Sequence, residues 1–295
     1  MKIVVIGGCT EPLEEGCLKC CEIFDDNGNG SLIENVLNFP RRGSAFALNN
    51  EFIYVFGGCS GPGKHLKTIE KIDKSFEATV IENEIEAEGS CFAYCSINNS
   101  FFVAGGFNGI ECLNSASLFT FLPCSQSSSF RLPTPLKNSA ACKNPFNSNS
   151  ILLFGGWDES RTLNSIFNVL LTDFTATMDA LLPYHVEGHT TTLIDNSIIF
   201  LIGGYNGIKP ISTISKFDKN GTQILDENLE IPRENHCTVF LEETREIWII
   251  GGWNGNETIK IIERFKVSKN GDLKKLSNFS LNKARQKAGA VVFID

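Results

Sequence analysis

The sequence predicts an all-β fold, a six-bladed β-propeller of four-stranded antiparallel blades, and three observations predict it. Six short apolar runs each end in a pair of glycines. The first glycines of successive pairs lie 50, 48, 50, 48 and 48 residues apart, which matches one propeller blade rather than a helical repeat. The chain also ends in a strand that can complete its first blade. The pairs are Gly7-Gly8, Gly57-Gly58, Gly105-Gly106, Gly155-Gly156, Gly203-Gly204 and Gly251-Gly252.

The run before each glycine pair is interpreted as strand b, the second strand of a blade counted from the inside. These runs are apolar and rich in β-branched and aromatic residues, as expected of strands buried on both faces. Glycine at the strand end permits a positive φ and lets another backbone approach closely. The runs cover residues 3–6, 52–56, 101–104, 151–154, 198–202 and 247–250.

The other strands of each repeat follow from composition. Strand a precedes strand b and is rich in small residues, which suit a narrow central channel; it covers residues 44–48, 90–94, 139–142, 189–193 and 236–240. Strand c follows the loop after the glycines, at residues 21–25, 69–73, 115–119, 164–170, 211–218 and 259–265. A more polar strand d closes each unit, for example at residues 76–81 and 129–132.

The two ends of the chain predict how the ring closes. Met1 leads directly into a b strand, whereas residues 289–294 form an a strand with no b strand after it. We expect the two to share one blade, because that arrangement leaves no open sheet edge. Residues 1–295 are therefore predicted to form a single propeller domain.

Together these features resemble the kelch-repeat propellers over the full length of the chain. The resemblance depends on the glycine pairs, on Pro-Arg before two inner strands at Pro40-Arg41 and Pro232-Arg233, and on aromatic-Asn-Gly after three of the pairs. Kelch repeats usually carry Tyr on strand c and Trp on strand d. Here Phe or Ile stands on strand c and no Trp falls on strand d, so the resemblance indicates a divergent member with a phenylalanine-dominated core.

Composition restricts the partners. The net charge of −8, from 34 acidic and 26 basic residues, argues against nucleic acid as the main partner. The segment from Lys260 to Lys287 is an exception, with nine basic and two acidic residues. No apolar run reaches the length of a membrane span. We expect no membrane partner, a monomeric propeller, and a location in the cytosol or the nucleus.

Eleven cysteines, an odd number, predict reduced thiols. Several stand in predicted buried strands, where free cysteine acts as a small apolar residue. Cys17, Cys20 and Cys21, with Cys9 nearby, have a spacing that occurs in zinc sites. However, alternate side chains of a strand point in opposite directions, and no second Cys or His pair stands at zinc-finger spacing. We therefore expect neither a metal nor a cofactor.

The residues directly after the glycine pairs indicate a binding surface. They are Cys9, Cys59, Phe107, Trp157, Tyr205 and Trp253. In kelch adaptors the face formed by the b–c and d–a loops, with its central pocket, holds the ligand. The resemblance thus implies an aromatic arc of Phe107, Trp157, Tyr205 and Trp253 at the pocket rim. The alternative is that these rings only cover the base of their loops.

The d–a loops supply polar candidates. When the inner strands are aligned on Ser44, Ser90, Ser139, His189, His236 and Ala288, Arg41, Arg233 and Arg285 fall in one column. Glu88 and Glu187 fall in the next. The resemblance implies that the arginines project into the central pocket, where their forked donors would bind carboxylates. The alternative is that the arginines brace neighbouring loops.

Two functions follow from the resemblance. The favoured one is a noncatalytic module that docks a peptide segment of another protein, acidic or of mixed acidic and hydrophobic character, on the loop face. The alternative is a small enzyme of the sialic acid mutarotase kind, acting on a sugar acid. In that alternative Glu88, Glu187 and the three arginines would supply the acid, base and binding groups.

Overall fold

A computed structural model of the protein describes residues 1–11, 16–49, 51–121 and 124–293. Within these ranges the chain forms strands, turns and loops and contains no helix. None of the described residues therefore belongs to a helix that could span a membrane. The strands form six antiparallel sheets arranged as the blades of a propeller, which confirms the predicted all-β fold class.

Each blade is numbered by the order of its glycine pair along the chain. Blade 1 consists of β25 (Gly289–Phe293), β1 (Lys2–Ile6), β2 (Cys21–Phe24) and β3 (Gly30–Ile33). Blade 2 consists of β4 (Ala45–Asn49), β5 (Phe52–Phe56), β6 (Leu66–Ile72) and β7 (Ala78–Gly89). Blade 3 consists of β8 (Ala93–Ile97), β9 (Ser100–Ala104), β10 (Ser115–Phe121) and β11 (Cys124–Arg131).

The remaining blades repeat the same order. Blade 4 consists of β12 (Ala140–Lys143), β13 (Ser150–Phe154), β14 (Ser165–Leu170) and β15 (Thr175–Leu181). Blade 5 consists of β16 (Thr190–Ile194), β17 (Ile198–Ile202), β18 (Thr213–Asp218) and β19 (Gly221–Asn228). Blade 6 consists of β20 (Cys237–Leu241), β21 (Glu246–Ile250), β22 (Ile261–Val267) and the short strands β23 (Leu273–Lys275) and β24 (Phe279–Ser280), which both pair with β22.

The ring closes through blade 1, as predicted. Strand β25 pairs antiparallel with β1, with Lys2 opposite Phe293 and Ile6 opposite Gly289. The last residue of the predicted strand, Ile294, lies outside the described residues. The outer strand of blade 3 is longer than predicted: β11 begins at Cys124, whereas only residues 129–132 were expected. Its serine-rich first half carries little of the apolar pattern that marks a strand.

The b strands are buried because both of their faces pack against neighbouring blades. In β1, Ile3 and Val5 join an apolar cluster with blade 6, whereas Val4 and Ile6 join a cluster with blade 2. Six such clusters lie between the six pairs of adjacent blades. A strand whose alternate residues face two apolar surfaces must be apolar throughout. This explains the uninterrupted runs before the glycine pairs.

Each glycine pair allows the loop that leads into the next blade to approach the end of strand b closely. Gly203 and Gly204 have φ of +57° and +105°, in the region that side chains other than glycine rarely adopt. The amide of Gly204 donates to the carbonyl oxygen of Arg233 at 2.8 Å. A methyl group on Gly203 would lie only 2.6 Å from the same oxygen. The pair therefore lets the d–a loop of the next blade bind directly to the end of strand b.

A closed ring of six backbone hydrogen bonds surrounds the central channel. One residue just before each inner strand donates its amide to the carbonyl of its counterpart one blade back, at 2.6–3.0 Å. Every one of these residues has a positive φ, between +52° and +62°. We call them the ring residues: Gly43, Cys91, Asn138, Gly188, Asn235 and Lys287. Their bonds join all six blades at the end of the channel where the d–a loops lie.

Deletion of residues 289–295 tests the closure of the ring. The truncated chain loses β25, which leaves an edge of β1 unpaired and removes the apolar contacts of Val291 and Phe293. We expect aggregation, or a melting temperature lower by about 10 °C or more. Differential scanning fluorimetry and size-exclusion chromatography measure the outcome, with deletion of residues 294–295 alone as the control. A soluble truncated monomer with the melting temperature of the control would contradict this closure.

Candidate functional site

The b–c and d–a loops meet at one end of the propeller, which we call the loop face. Each residue after a glycine pair bridges to a d–a loop residue and to a residue of its own b–c loop. In blade 4, for example, Trp157 exchanges two backbone hydrogen bonds with Lys137, at 2.9 and 3.0 Å, and bridges to Thr162. This small ladder holds the backbone of the loop face rigid and determines where its side chains emerge.

The four predicted aromatic residues lie on this face, on four successive blades. Phe107, Trp157, Tyr205 and Trp253 are all partly exposed, whereas Cys9 and Cys59 at the same position of blades 1 and 2 are completely buried. The Lys137 ammonium group lies 4.4 Å from the centre of the Phe107 ring and 4.5 Å from that of Trp157. It therefore joins the first two aromatics through cation–π contacts.

Two isoleucines that the sequence analysis missed lie at the tips of b–c loops on the same face. Ile110 in blade 3 and Ile208 in blade 5 are 90% and 82% exposed. Each lies in a tight turn stabilised by an asparagine side chain. The side-chain oxygen of Asn108 or Asn206 accepts one hydrogen bond from the amide of the isoleucine and another from the amide of the next residue. The Asn-Gly signals indicated these turns, and an isoleucine directly after Asn-Gly was the signal that pointed to an apolar tip.

The predicted projection of Arg41, Arg233 and Arg285 into the central pocket is wrong. Their side chains are completely or almost completely buried, and each guanidinium is paired with a buried glutamate of strand c. The pairs are Arg41 with Glu70 at 2.5 Å, Arg233 with Glu263 at 2.6 Å and Arg285 with Glu22 at 2.5 Å. The alternative, that the arginines brace neighbouring loops, describes their positions correctly.

The contacts of Arg285 explain this bracing. Its Nη1 donates to the carbonyl oxygen of Gly7 at 3.0 Å, and its own carbonyl oxygen accepts from the amide of Gly252 at 2.9 Å. The paired Glu22 also accepts a hydrogen bond from the amide of Asn282, at 2.6 Å. The arginine thus joins the glycine pairs of blades 6 and 1, and the same arrangement recurs at Arg233 and Arg41. We call these three ion pairs the arginine latches.

The predicted alignment of blade 3 is also wrong, by two residues. Ser90, not Glu88, exchanges the backbone hydrogen bonds with Phe107, at 2.8 and 3.0 Å. Glu88 is exposed and lies in β7, so it is not brought together with Glu187. The alignment matched Ser90 with Ser44, but Gly89 occupies the position that arginine holds in blades 1, 2 and 6.

Glu187 does lie on the loop face, but its carboxylate is bound within the protein. It is 8% exposed and accepts hydrogen bonds from Asn138 Nδ2 at 2.8 Å and from Thr162 Oγ1 at 3.0 Å. Its neighbour Glu234 has a pKa raised to about 7, because burial disfavours its charge and Glu187 repels it, against the opposing influence of Lys287 and Asn235. Glu234 therefore carries only part of its negative charge near pH 7.

A cavity of about 210 Å³ occupies the centre of the channel, lined by the ring residues and the first residues of the inner strands. His189 and His236 line it and are buried. Burial lowers the pKa of His189 to about 3, so its imidazole is neutral at ordinary pH. His236 Nε2 lies 3.0 Å from Thr190 Oγ1, a contact that joins blades 5 and 6.

Nine cysteines form no disulfide: Cys9, Cys20, Cys21, Cys59, Cys91, Cys95, Cys112, Cys142 and Cys237. Cys20 and Cys21 are buried, and Cys17 is partly buried. Among the described residues, no group of three or more His, Cys, Asp or Glu side chains is arranged to hold a metal ion. Neither the comparison with protein-family models nor the search of curated proteins found a match to this chain.

Replacement of a latch arginine tests whether it is structural. Arg233→Met leaves the buried carboxylate of Glu263 without its partner, and we expect the free energy of unfolding to fall by about 3–5 kcal/mol. Arg233→Met/Glu263→Gln should recover part of that loss. Arg161→Met removes an exposed arginine that lies 3.9 Å from Asp158 and should cost less than about 0.5 kcal/mol.

Urea unfolding followed by fluorescence measures these differences. If Arg233→Met unfolds at the same urea concentration as the wild type, the latch does not stabilise the fold, and the arginine would have to be reconsidered as a ligand-binding group.

Proposed function

We propose that the protein is a kelch-type propeller that acts as an interaction module and docks a peptide segment of another protein on the loop face. The glycine pairs, the six four-stranded blades and the closure by the last strand support assignment to this type. The odd number of cysteines favours a reducing compartment, and we propose the cytosol or the nucleus. We further propose that the propeller acts as a monomer.

The observation that carries the proposal is the apolar surface of the loop face. Two isoleucines are 90% and 82% exposed on a face that also presents four partly exposed aromatic rings. Exposed isoleucine at a rigid loop tip gains nothing in the free protein, whereas burial against a partner removes apolar area from water. Aromatic side chains are the residues that most often dominate the energetics of such interfaces.

The charges of the face indicate the character of the peptide. Lys209 follows Ile208 and is exposed, and Lys137 lies between the aromatics of blades 3 and 4. Near them, the carboxylate of Glu187 is held by hydrogen bonds from Asn138 and Thr162, and burial raises the pKa of Glu234 to about 7. We therefore propose a peptide with hydrophobic side chains and an acidic group that contacts these lysines. The buried arginines are not included in this site.

The enzyme alternative receives no support from the placement of its residues. It requires Glu88, Glu187 and three free guanidinium groups to converge on a sugar acid. Glu88 lies on β7, away from Glu187, and the guanidiniums are bound in the latches. We therefore do not propose a catalytic role for these residues.

Substitution of the two isoleucines tests the docking face. A displayed library of peptides is selected on the full chain, and the affinities of the recovered peptides are measured by fluorescence polarisation. We expect Ile110→Ser/Ile208→Ser to weaken binding about thirtyfold to several hundredfold, because each isoleucine loses about 1–2 kcal/mol of apolar contact. The melting temperature should not change, since both side chains are exposed.

Ile224→Ser is the matched control, because Ile224 is a 51% exposed isoleucine on the outer strand β19. It should leave affinity unchanged. Peptides that bind the double variant as tightly as the wild type would show that docking occurs elsewhere on the propeller, and the proposed site would be withdrawn.

A further inference from the structure

The mouth of the channel contains a cysteine and a lysine in direct contact. Lys287 Nζ lies 3.2 Å from Cys91 Sγ. Both are ring residues, and Gly43 lies between them in the ring of backbone hydrogen bonds. Because glycine has no side chain, the lysine can extend across it to the thiol. The ring holds both residues at positive φ, +59° for Cys91 and +52° for Lys287, so the contact is built into the backbone of the propeller.

The surroundings of Cys91 favour its thiolate. Burial alone would raise the pKa of the thiol, but Lys287, a hydrogen bond with Ser90 and the nearby Arg42 outweigh it and lower the pKa. Cys9 and Cys112 are titratable neighbours of Cys91. By contrast with Cys91, burial raises the pKa of both of these thiols. Burial alone would lower the pKa of Lys287, but its interactions with Cys91 and Cys9 outweigh burial and raise that pKa, so Lys287 remains an ammonium ion.

The site is open to a small molecule. Cys91 is partly exposed and lines the cavity of about 210 Å³ at the centre of the channel. His189 lines the same cavity and is 6% exposed, and neither of its ring nitrogens has a hydrogen-bond partner in the described part of the chain. A buried polar group without a partner is costly, so it indicates a hydrogen-bonding occupant in this space. The thiol and the imidazole thus face one cavity that suits a small polar guest.

We propose that Cys91 is a nucleophilic modification site that takes small anionic disulfides of the glutathione type. The Cys91 thiolate attacks one sulfur of the disulfide and forms a new S–S bond, while the original S–S bond breaks and releases the other half as a thiolate. Cys91 is thereby oxidised to a mixed disulfide and the small disulfide is reduced by the same two electrons. The proton of the Cys91 thiol passes to solvent, and the released thiolate takes a proton from solvent.

The preference for an anionic reagent follows from the cations at the site. Lys287 and Arg42 stabilise the thiolate before the reaction, and they lose that anion when the mixed disulfide forms. Carboxylate groups carried by the incoming half can then take its place beside the two cations. Lys287 acts here as a positioning residue, because it stabilises the reacting sulfur without forming a bond in the reaction.

Modification by oxidised glutathione tests the proposal with the full chain. After incubation at pH 7, peptide mass spectrometry measures the fraction of each cysteine in a mixed disulfide. Cys95 provides the internal comparison, because it is also partly exposed but its pKa is raised well above the ordinary value by burial. We expect Cys91 to react at least about tenfold faster than Cys95. Equal rates at the two cysteines would overturn the proposal.

Variants of Lys287 separate its charge from the fold. Asparagine already occupies ring positions 138 and 235 at positive φ, so Lys287→Asn should fold normally. We expect it to slow the modification of Cys91 about tenfold, whereas Lys287→Arg should retain the rate and Lys283→Asn, in the same loop, should not alter it.

The pH dependence of alkylation by iodoacetamide provides the second measurement. The rate at Cys91 should rise with an apparent pKa below that of an ordinary cysteine thiol in the wild type, and Lys287→Asn should shift that pKa upward. If Lys287→Asn changes neither the rate with glutathione disulfide nor the pH profile, while its melting temperature equals that of the wild type, Cys91 is not an activated thiolate and the proposal fails.

Discussion

The ring of six backbone hydrogen bonds around the channel is the constraint on which the rest of the structure depends. Each bond joins one blade to the next, and the sixth returns to the first, so no blade can rotate without breaking two bonds. The bonds require a positive φ at every ring residue, which explains glycine or asparagine at four of the six positions. Cys91 and Lys287 also adopt a positive φ, although neither residue type favours it. The contact between their side chains distinguishes this channel mouth.

The loop face inherits its rigidity from this ring. The residue before each ring residue exchanges backbone hydrogen bonds with the residue after a glycine pair. The residue two positions before each ring residue accepts a hydrogen bond, through its carbonyl oxygen, from the second glycine of the pair one blade back. Aromatic side chains on blades 3–6 and the isoleucine tips of blades 3 and 5 therefore emerge from a fixed scaffold. A fixed scaffold lowers the entropic cost of binding, because little of the face has to become ordered when a partner docks. The arginine latches strengthen the ring at blades 6, 1 and 2.

The sequence predicted the blades and their closure because glycine pairs reflect a local backbone requirement that every repeat shares. It did not predict the function of the arginines, since that depends on a partner in another strand. Glu22, Glu70 and Glu263 occupy the same position of strand c in the three blades that the arginines enter, and that coincidence was a usable signal. The two-residue error in blade 3 has a similar origin: Gly89 replaces the arginine and Cys91 replaces the glycine or asparagine of the ring. An isoleucine directly after Asn-Gly indicated an apolar residue in each turn, but its degree of exposure depends on how neighbouring loops pack and could not be deduced.

Amide hydrogen exchange of the ring residues tests the account most directly. If the ring joins all six blades, the amides of Gly43, Cys91, Asn138, Gly188, Asn235 and Lys287 should exchange only when the whole propeller unfolds. Their rates should then agree within roughly tenfold with those of buried b-strand amides such as Val5 and Leu201. Ring amides that exchange as fast as those of exposed loops, while the b strands remain protected, would contradict the claim that the ring holds the blades and the loop face together.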